Sequence, residues 1–399
     1  MSILSSTRPV VGVVCAMILV AVVAQAADIT VRDAASLRAA VAAAQPGTRI
    51  FLAGGEYGGG FHFTNLRGAP GRPIVLAAAD GAQPPVFNGG NTGLHFSNPA
   101  YLELQGLVIT KSAHNGINID DGGSPEATRD EQPSTRHVVL RGLRISDIGG
   151  DGNHDGIKLS GLYDFRVVEC TIERWGTKGG SAIDMVGCHR GTIEASVIRH
   201  IDPAPGNCTA VQCKGGTSDV KVQGNRFENA GGRGVNIGGS TGLAYFRPRL
   251  REGAERAEAR NIVVEGNTFV GGVTPVAFVG VDGAVVRFNT IERPGRWALR
   301  ILQENKTAGF VPSRNGQFTD NVIVFDSTRW GESGVNTGAG SAPETFTFAR
   351  NWWYCADRPD RSTPKLPSAE AEGVYGRPPE EARDRAGASA WSGAAATKR

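Results

Sequence analysis

Residues 156–198 read GIKLSGLYDFRVVECTIERWGTKGGSAIDMVGCHRGTIEASVI, and this stretch contains the same two-part unit twice. Each unit begins with a short segment in which apolar residues alternate with others (GIKLS, then AIDMV). A second segment of similar pattern follows (FRVVECTI, then GTIEASVI). Alternation with a period of two is typical of half-buried β-strands. The stretch therefore predicts pairs of short strands that repeat along the chain.

The repeat extends over most of the sequence. Further first segments are GINID, AVQCK, GVNIG, PVAFV and ALRIL, and further second segments include VKVQGNRF, IVVEGNTF and AVVRFNTI. The unit recurs about every 25 residues, a period that is typical of solenoids. Two insertions interrupt it, at residues 122–136 and 242–260. Strands this short bury their apolar side chains by stacking coil on coil.

Asparagines in the second segments define the fold further. Five of them share one register: Asn225, Asn267, Asn289, Asn321 and Asn351. Stacked at the same bend, they would form an internal ladder that satisfies backbone groups of the turn. We therefore predict an all-β fold, a right-handed parallel β-helix, whose hand follows the usual preference of strand crossovers.

The chain divides into four predicted regions. Residues 1–26 have the basic residue, apolar run and small-residue cleavage pattern of a signal peptide. Residues 27–47 form a cap, in which alanine and leucine at helical spacing predict a helix over the open end of the core. The β-helix is expected over residues 48–355, and residues 356–399 are expected to be irregular and partly disordered.

Composition narrows the class of protein. The 399 residues include 55 glycines without a Gly-X-Y period, which excludes collagen. A net charge of only +3 argues against nucleic acid as a partner. After signal cleavage we expect a monomer that is secreted or periplasmic and has no membrane anchor. Five cysteines then remain, and either a bridge from Cys188 or Cys208 to Cys213 or buried free thiols would fit.

Strand alternation places a polar row on one outer face of the solenoid. Ile157 and Leu159 point inward in GIKLS, so Lys158 points outward. The equivalent residues of the other first segments are Asn118, Asp184, Gln212, Asn236, Ala277 and Arg300. Because adjacent coils lie ~4.8 Å apart, these residues would form a flat polar wall. The alternative is that they are simply solvated, as outward strand residues often are.

The second insertion adds rings and cations near this wall. It contains YFRPRLR, in which Arg247 is the first arginine. Guanidinium groups form forks with carboxylates, and aromatic rings offer flat stacking surfaces. We therefore expect a groove for an acidic polysaccharide, with a solvated charged loop as the alternative.

Parts of the sequence resemble a known group of enzymes. The segments SLRAAVAAAQPGTRIFLAGGEY, RPIVLAAADGAQPPVFNGG and LELQGLVI are similar to the opening of polysaccharide lyases of the chondroitinase B and alginate lyase group (polysaccharide lyase family 6). The likeness covers roughly residues 30–240. AVQCKGGTSDVKVQGNRF resembles the family segment in which a strand ends at the catalytic lysine. The resemblance implies cleavage of an acidic polysaccharide, with Lys214 as the general base.

The sequence departs from that family elsewhere. The family's catalytic arginine would fall near Gly238, where GVNIG has no arginine, so Arg233 or Arg300 would have to replace it. The family's calcium-binding acidic residues are not recognisable in NCTAVQ. DGNHD, which contains His154, loosely resembles the Asp-Pro-His-Asp motif of mannuronan epimerases but lacks its proline.

The candidate residues suit removal of a proton beside a carboxylate. Lyases and epimerases both take the C5 proton of a uronate, which requires a base and neutralisation of the carboxylate. We assign the base to Lys214, the carboxylate contact to Arg233 or Arg300, and a second acid or base to His154 or Lys158. A lysine becomes a base when neighbouring cations or desolvation favour its neutral form, and a lysine on a wall flanked by arginine would meet that condition. The other predicted substrate-binding residues are Asp184, Gln212, Asn236, Asn118 and Arg247.

Other assignments stay open. Ca²⁺ could be held by some of Asp120, Asp121, Asp151, Asp155 and Asp184, because hard cations select oxygen ligands. Besides a lyase, the wall could belong to a C5 epimerase, a glycoside hydrolase or a non-catalytic carbohydrate-binding protein. A hydrolase needs two carboxylates ~5–9.5 Å apart, and Asp184 alone occupies the central outward register.

Overall fold

The computed structural model describes residues 28–123, 135–330 and 334–382. The predicted signal peptide, most of the first insertion and the last residues of the chain lie outside this part. The predicted helix is present as α1 (Ala34–Ala43), which begins with a capping box between Asp33 and Ser36. It buries Leu37 and Val41 in the core and contacts the first two strands, so it covers the N-terminal end of the solenoid.

Three parallel sheets run the length of the molecule, with strands numbered in chain order. The first sheet has thirteen strands. They are β1 (Asp28–Val31), β2 (Arg49–Leu52), β5 (Ile74–Ala78), β8 (Ala100–Gln105), β11 (Arg136–Arg141), β14 (Tyr163–Val168), β17 (His189–Glu194), β20 (Thr217–Gln223), β23 (Ala259–Glu265), β26 (Val281–Arg287), β29 (Arg314–Thr319), β32 (Thr347–Ala349) and β34 (Glu370–Ala371).

The second sheet has ten strands and carries the predicted polar row. They are β4 (Phe61–Thr64), β7 (Thr92–Ser97), β10 (Asn115–Asp120), β13 (Ile157–Ser160), β16 (Ser181–Val186), β19 (Thr209–Lys214), β22 (Arg233–Gly238), β25 (Val276–Val279), β28 (Leu299–Leu302) and β31 (Val335–Thr337).

The third sheet has twelve strands. They are β3 (Gly55–Glu56), β6 (Pro85–Asn88), β9 (Val108–Thr110), β12 (Arg144–Ser146), β15 (Thr171–Glu173), β18 (Val197–Arg199), β21 (Arg226–Glu228), β24 (Thr268–Val270), β27 (Thr290–Glu292), β30 (Val322–Phe325), β33 (Trp352–Cys355) and β35 (Val374–Tyr375). Short 3₁₀ helices occupy Leu243–Tyr245, Pro343–Thr345, Pro359–Arg361 and Pro379–Ala382.

Each full coil contributes one strand to each sheet, as β13, β14 and β15 do before β16 begins the next coil. Within these coils each strand pairs in parallel with the strand three places later in the chain, as β10 does with β13, β11 with β14 and β12 with β15. This is the pattern of a parallel β-helix. Inward residues such as Ile157 and Leu159 are almost fully buried, whereas Lys158 between them is partly exposed. The alternation read from the sequence therefore sets which side chains form the core.

The asparagine ladder is present inside the solenoid. The backbone N–H of Asn267 donates to Oδ1 of Asn289 at 3.0 Å, and the N–H of Asn289 donates to Oδ1 of Asn321 at 3.0 Å. The amide Nδ2 atoms repeat these contacts from rung to rung. At its ends the ladder continues into Ser196, whose N–H donates to Asn225, and into Glu370, which accepts from Asn351.

One sequence prediction differs from the structure, and one pair of open alternatives, the state of the cysteines, is decided by it. The β-helix does not end at Cys355, because β34 and β35 pair with β32 and β33 and add a partial coil. Glu370 makes this extension compatible with the ladder, since its carboxylate takes the position of the next asparagine. The five cysteines of the described part of the chain are all free thiols and buried, so the bridge to Cys213 is not formed.

Within the described residues, no helix is both long and apolar enough to cross a membrane.

Replacement of one ladder residue should lower stability strongly. Asn289→Ala removes an acceptor for Asn267 and donors to the carbonyls of Val264 and Arg287 in a site with no exposure. Buried groups left without partners cost about 1–3 kcal/mol each, so we expect the free energy of unfolding in urea to fall by roughly 3 kcal/mol. Asn91→Ala, at an exposed position, is the control, and equal effects of the two variants would contradict a structural role of the ladder.

Candidate functional site

The ten-stranded sheet aligns the predicted polar residues in one row. Pairing of successive strands places Asn118 beside Lys158, Lys158 beside Asp184, and Asp184 beside Gln212. The row continues through Asn236, Ala277 and Arg300. It extends toward the N-terminus through His95 and His62, and toward the C-terminus to Asn336. We call this row the wall.

Two lysines share one buried carboxylate at the centre of the wall. Lys158 makes a close ion pair with Asp184, and Lys214 Nζ lies 3.2 Å from Asp184 Oδ1. That oxygen is buried and has no hydrogen-bond donor among the described residues, because Lys214 is near it but not aligned for a hydrogen bond. Asp184 is only 2% exposed. Burial opposes its ionisation, but the two ammonium groups outweigh burial and hold the pKa of Asp184 below its usual value.

A second carboxylate lies behind Lys158. Asp155 Oδ2 is 3.5 Å from Lys158 Nζ, and Asp155 Oδ1 accepts a hydrogen bond of 2.8 Å from the N–H of Ser181. Burial, reinforced by the negative charge of Asp184, raises the pKa of Asp155 to about 6. Although Lys158 is itself largely buried, the two carboxylates raise its pKa. The raised pKa favours the charged form of Lys158.

A cationic cleft opens on the wall beside these lysines. It has a volume of about 630 Å³, and Gln212, Arg233, Asn236 and Arg300 line it together. Arg233 donates to Asn236 Oδ1 at 3.0 Å and to Glu304 Oε1 at 2.5 Å. Burial, together with the charge of Arg233, lowers the pKa of Arg300. The structure thus brings together the two arginines that the sequence offered as alternatives.

Trp297 lies between two guanidinium groups in this cleft. The Cζ atoms of Arg296 and Arg300 lie 4.2 Å and 4.4 Å from the centre of a Trp297 ring, within cation–π distance. Three arginines therefore face one carboxylate, Glu304, in the same cleft. Such a cleft is suited to one or more anionic groups on a ligand.

Some predicted substrate-binding residues have other roles. Asp184 and Asn236 are almost fully buried, so they do not offer free hydrogen bonds to sugar hydroxyls. Asn236 instead orients Arg233, and Asp184 holds the two lysines. The outward register was predicted from strand alternation, but longer side chains contact these shorter ones: Lys158 and Lys214 from the neighbouring coils at Asp184, and Arg233 from the same strand at Asn236. The ion-pair partner of Lys214 in the described chain is Asp184.

Arg247 anchors the second insertion rather than facing the wall. Its Nε donates to Asp121 Oδ2 at 2.5 Å in a nearly buried pair, and its carbonyl accepts from His189. Glu258, at the end of the same insertion, is buried and accepts from Thr241, Gly215 and Asn305. These contacts fix the insertion along the edge of the ten-stranded sheet, where Gly239 lies against Lys214 and Gln212.

His154 and Asn118 lie on the approach to the lysines. His154 Nδ1 is 2.7 Å from the carbonyl of Gly149, which can only accept, so Nδ1 carries the proton and Nε2 makes no hydrogen bond to the described residues. The ring contacts His114, at 4.7 Å between ring centres, rather than either lysine. Asn118 donates to Asp120 at 3.0 Å, and Asp120 forms a 2.6 Å contact with His95.

The candidate calcium ligands are dispersed. Asp120 contacts His95, Asp121 pairs with Arg247, and Asp151 pairs with Lys178. Asp155 and Asp184 both serve Lys158. In the described ranges, no three histidine, cysteine or acidic residues are grouped so that they could hold a metal ion.

Sequence reasoning missed several residues of the site. Arg296, Trp297 and Glu304 belong to turns on either side of β28, where strand periodicity carries no information. RPGRW, an aromatic residue among arginines, was the signal that could have found the first two. His62 and His95 follow the same alternation as Lys158, within FHFT and LHFS, and an earlier start of the repeat would have included them.

Comparison with known proteins agrees with this architecture. Residues 86–248 match the family model described as a right handed beta helix region, so the fold is the predicted right-handed parallel β-helix. No curated protein matches the chain.

Several solved structures share the fold at low identity. An alginate lyase from Paenibacillus sp. is 18% identical with a TM-score of 0.54, over 79% of this chain and 99% of that one. A PL6 family polysaccharide lyase from Pseudopedobacter saltans is 14% identical with a TM-score of 0.54, over 88% and 94%. The tailspike protein of E. coli bacteriophage HK620, solved with a pentasaccharide, is 13% identical with a TM-score of 0.54, over 85% and 62%.

The raised pKa of Asp155 predicts an unusual pH dependence of stability. Since folding raises this pKa from 3.8 to about 6, the folded state binds the proton more tightly. The stability contributed by Asp155 is complete below pH 3.8 and falls as pH rises to about 6, by on the order of 3 kcal/mol. Asp155→Asn keeps an oxygen for the Ser181 N–H but does not titrate.

The difference in unfolding free energy between the parent and this variant should therefore move in favour of the variant between pH 4 and 6. Denaturant titrations at several pH values measure it, with Asp80→Asn, an exposed carboxylate, as the control. A difference that stays constant across this range would contradict the raised pKa.

Proposed function

We propose that this chain is an exported carbohydrate-active protein, a polysaccharide lyase that cleaves a uronate-containing polymer by β-elimination. The observation that carries the proposal is the arginine cleft, lined by Arg233, Arg296 and Arg300, together with Lys214 on the strand of Gln212, which also lines the cleft. One set of groups is suited to hold a carboxylate and the other to transfer a proton. The similar folds of an alginate lyase and a PL6 family lyase make polyuronates the first substrates to test.

The reaction begins at C5 of the uronate ring. With the substrate carboxylate in the cleft, Arg233 and Arg300 offset the negative charge that develops when the C5 proton leaves. Lys214 lies on the same strand as Gln212, two residues away and on the same face, so it stands next to the cleft. Its neutral amine takes the proton, the electron pair forms the C4–C5 double bond, and the C4–O4 bond breaks.

The same lysine can complete the step. After taking the C5 proton, the Lys214 ammonium faces the leaving O4 if both substituents lie on one side of the ring, and it returns the proton there. Asp184 and Lys158 hold Lys214 in place. His154, whose Nε2 makes no hydrogen bond to the described residues, is the alternative donor to O4.

The burial of the carboxylates argues against hydrolysis. Asp155 and Asp184, the two carboxylates closest to the lysines, are only 4% and 2% exposed. Both are engaged with Lys158, so neither reaches a glycosidic oxygen as a hydrolase requires. A C5 epimerase would share the first step but return a proton to C5. It is distinguished from a lyase by a changed sugar composition without shortening of the polymer.

Export is part of the same proposal, and the signal peptide predicted at residues 1–26 would direct it.

A calcium requirement is also part of the proposal, because an oxygen-ligated Ca²⁺ could bridge substrate carboxylates. Assays with calcium and with chelator decide whether the ion is needed.

Lys214→Met should abolish cleavage. The purified protein is incubated with a panel of polyuronates and glycosaminoglycans, and the unsaturated product is followed by its ultraviolet absorbance. General base catalysis contributes about 10²–10⁴-fold, so we expect kcat to fall by at least 10²-fold. Lys221→Met, an exposed lysine on the other sheet of the same coil, is the matched control.

A Lys214→Met variant that keeps full activity would refute the base assignment. An unmodified protein that yields no unsaturated product from any polymer of the panel would refute the lyase proposal for those substrates. Polymer retention without cleavage would instead favour a carbohydrate-binding protein.

The arginine cleft predicts a charge-dependent affinity. Arg300→Gln removes a cation that lies against Trp297, so affinity for an acidic oligosaccharide should fall about tenfold, equivalent to ~1.4 kcal/mol. Calorimetric titration at two salt concentrations should also show a weaker salt dependence in the variant. Arg293→Gln, whose side chain is 68% exposed outside the cleft, is the control. Equal affinities of Arg300→Gln and the parent would exclude the cleft as the anion site.

A further inference from the structure

A buried chain of alternating charges lies beneath the lysine that we propose as the base. Its order is Asp155, Lys158, Asp184, Lys214, with close contacts between each neighbouring pair. We infer that Asp155 is a positioning residue that, through Lys158 and Asp184, sets how firmly Lys214 holds its proton. This inference rests on the proposed function for its kinetic consequence but not for its physical test.

Asp155 is held so that one oxygen is committed to this chain. Its backbone N–H donates to Asn115 Oδ1 at 3.0 Å, and its Oδ1 accepts from the Ser181 N–H at 2.8 Å. The remaining oxygen, Oδ2, is the one that faces Lys158. A carboxylate that only stabilised the turn before β13 would not need this third contact.

Lys158 contacts both Asp155 and Asp184. Through this shared contact, a change in the charge of Asp155 alters the interaction of Asp184 with Lys214. When Asp155 is charged, Lys158 is shared, and the negative charge of Asp184 is left more available to the Lys214 ammonium. When Asp155 is neutral, Lys158 is drawn fully to Asp184, and the group of four carries one negative charge fewer. Lys214 then releases its proton more readily.

The other titratable groups around the chain do not change this balance. The charges that act on Asp155 are those of Asp184, Lys158 and Lys214, from the three adjacent coils. Cys188 and Cys213 lie close enough to sense Asp184, but burial raises the pKa of both thiols well above neutrality, so they stay uncharged. The raised pKa of Asp155 places its change of charge near pH 6.

Two substitutions should act in opposite directions. Asp155→Asn removes a negative charge, so the rising limb of kcat/KM against pH should shift to lower pH. Lys158→Gln removes a positive charge and leaves Asp184 to Lys214 alone, so the same limb should shift to higher pH. At separations of roughly 7–11 Å and an effective dielectric near 20, each shift should be about one to two pH units.

Chemical labelling tests the same coupling without any substrate. The rate at which acetic anhydride acetylates Lys214 is measured against pH by peptide mass spectrometry, since only the neutral amine reacts. Asp155→Asn should lower the midpoint of this profile and Lys158→Gln should raise it. Lys221→Gln, on another face of the same coil, should leave it unchanged.

The outcomes separate the inference from the proposed function. Labelling shifts in the expected directions without cleavage of any polymer would establish the coupling and remove the lyase. Cleavage together with an unshifted Lys214 profile in Asp155→Asn would overturn the coupling and keep the lyase. A loss of thermal stability without any shift would reduce Asp155 to a structural residue. If Lys158→Gln does not fold, the direction in which Asp155→Asn shifts the midpoint of Lys214 labelling is enough to decide whether the coupling exists.

Discussion

The in-register stacking of coils is the constraint on which the whole structure depends. Each coil places its residues directly over those of the coil before. A polar residue that points inward therefore lies against the residue at the same position of the adjacent coil. The asparagine ladder satisfies this condition, because an amide both donates and accepts and can repeat without limit. The ladder stops at Ser196 on one side, whose N–H donates to Asn225, and at Glu370 on the other, whose carboxylate accepts from Asn351.

The same stacking governs the outer surface, where it creates electrostatic conflicts that must be resolved. Like charges ~4.8 Å apart repel one another, so outward rows alternate in sign or character. Asp164 and Arg190 form such a pair on the thirteen-stranded sheet, and Asp320 and Arg350 form another. The wall follows this rule at Lys158 and Asp184. Near the C-terminus it departs from it, where Arg233, Arg296 and Arg300 face one Glu304. An unbalanced cluster of this kind is the part of the surface that is best explained by an anionic ligand.

The sequence was sufficient for the fold and for the position of the wall, but not for the site itself. A period of two settles that Lys158 points outward and that Ile157 points inward, because strand geometry leaves no other choice. It does not settle whether an outward residue is accessible, and Asn236 is covered by the arginine that it orients. Arg247 was predicted to face the substrate because its neighbours are basic and aromatic. Its buried partner Asp121 is 126 residues away along the chain, and no local pattern reveals such a contact.

The pairing of Lys214 with Asp184, by contrast, follows from register once the coils are aligned. Lys214 lies beside Val186, two residues beyond Asp184 on the neighbouring strand, and a lysine side chain spans that diagonal. Trp297 and Arg296 lie in a turn, where neither spacing nor alternation constrains the side chains.

Two buried carboxylates of the described chain, Glu258 and Asp184, differ in their partners. Glu258 has no exposure and accepts hydrogen bonds from two backbone N–H groups, a threonine and an asparagine, so all its needs are met by neutral donors that cannot change charge. It fixes the second insertion and nothing more. Asp184 is equally buried, yet one of its oxygens lacks a hydrogen bond and its contacts are two lysines.

Burying such an incompletely paired cluster is unfavourable compared with an apolar core of the same volume. Alternation of charge between stacked coils accounts for Lys158 beside Asp184, but it does not account for the burial of the two carboxylates. Under the proposed lyase reaction, charges this close together would influence the proton affinity of Lys214. The cluster lies next to the arginine cleft on the wall, because Asp184 pairs with Gln212, which lines the cleft.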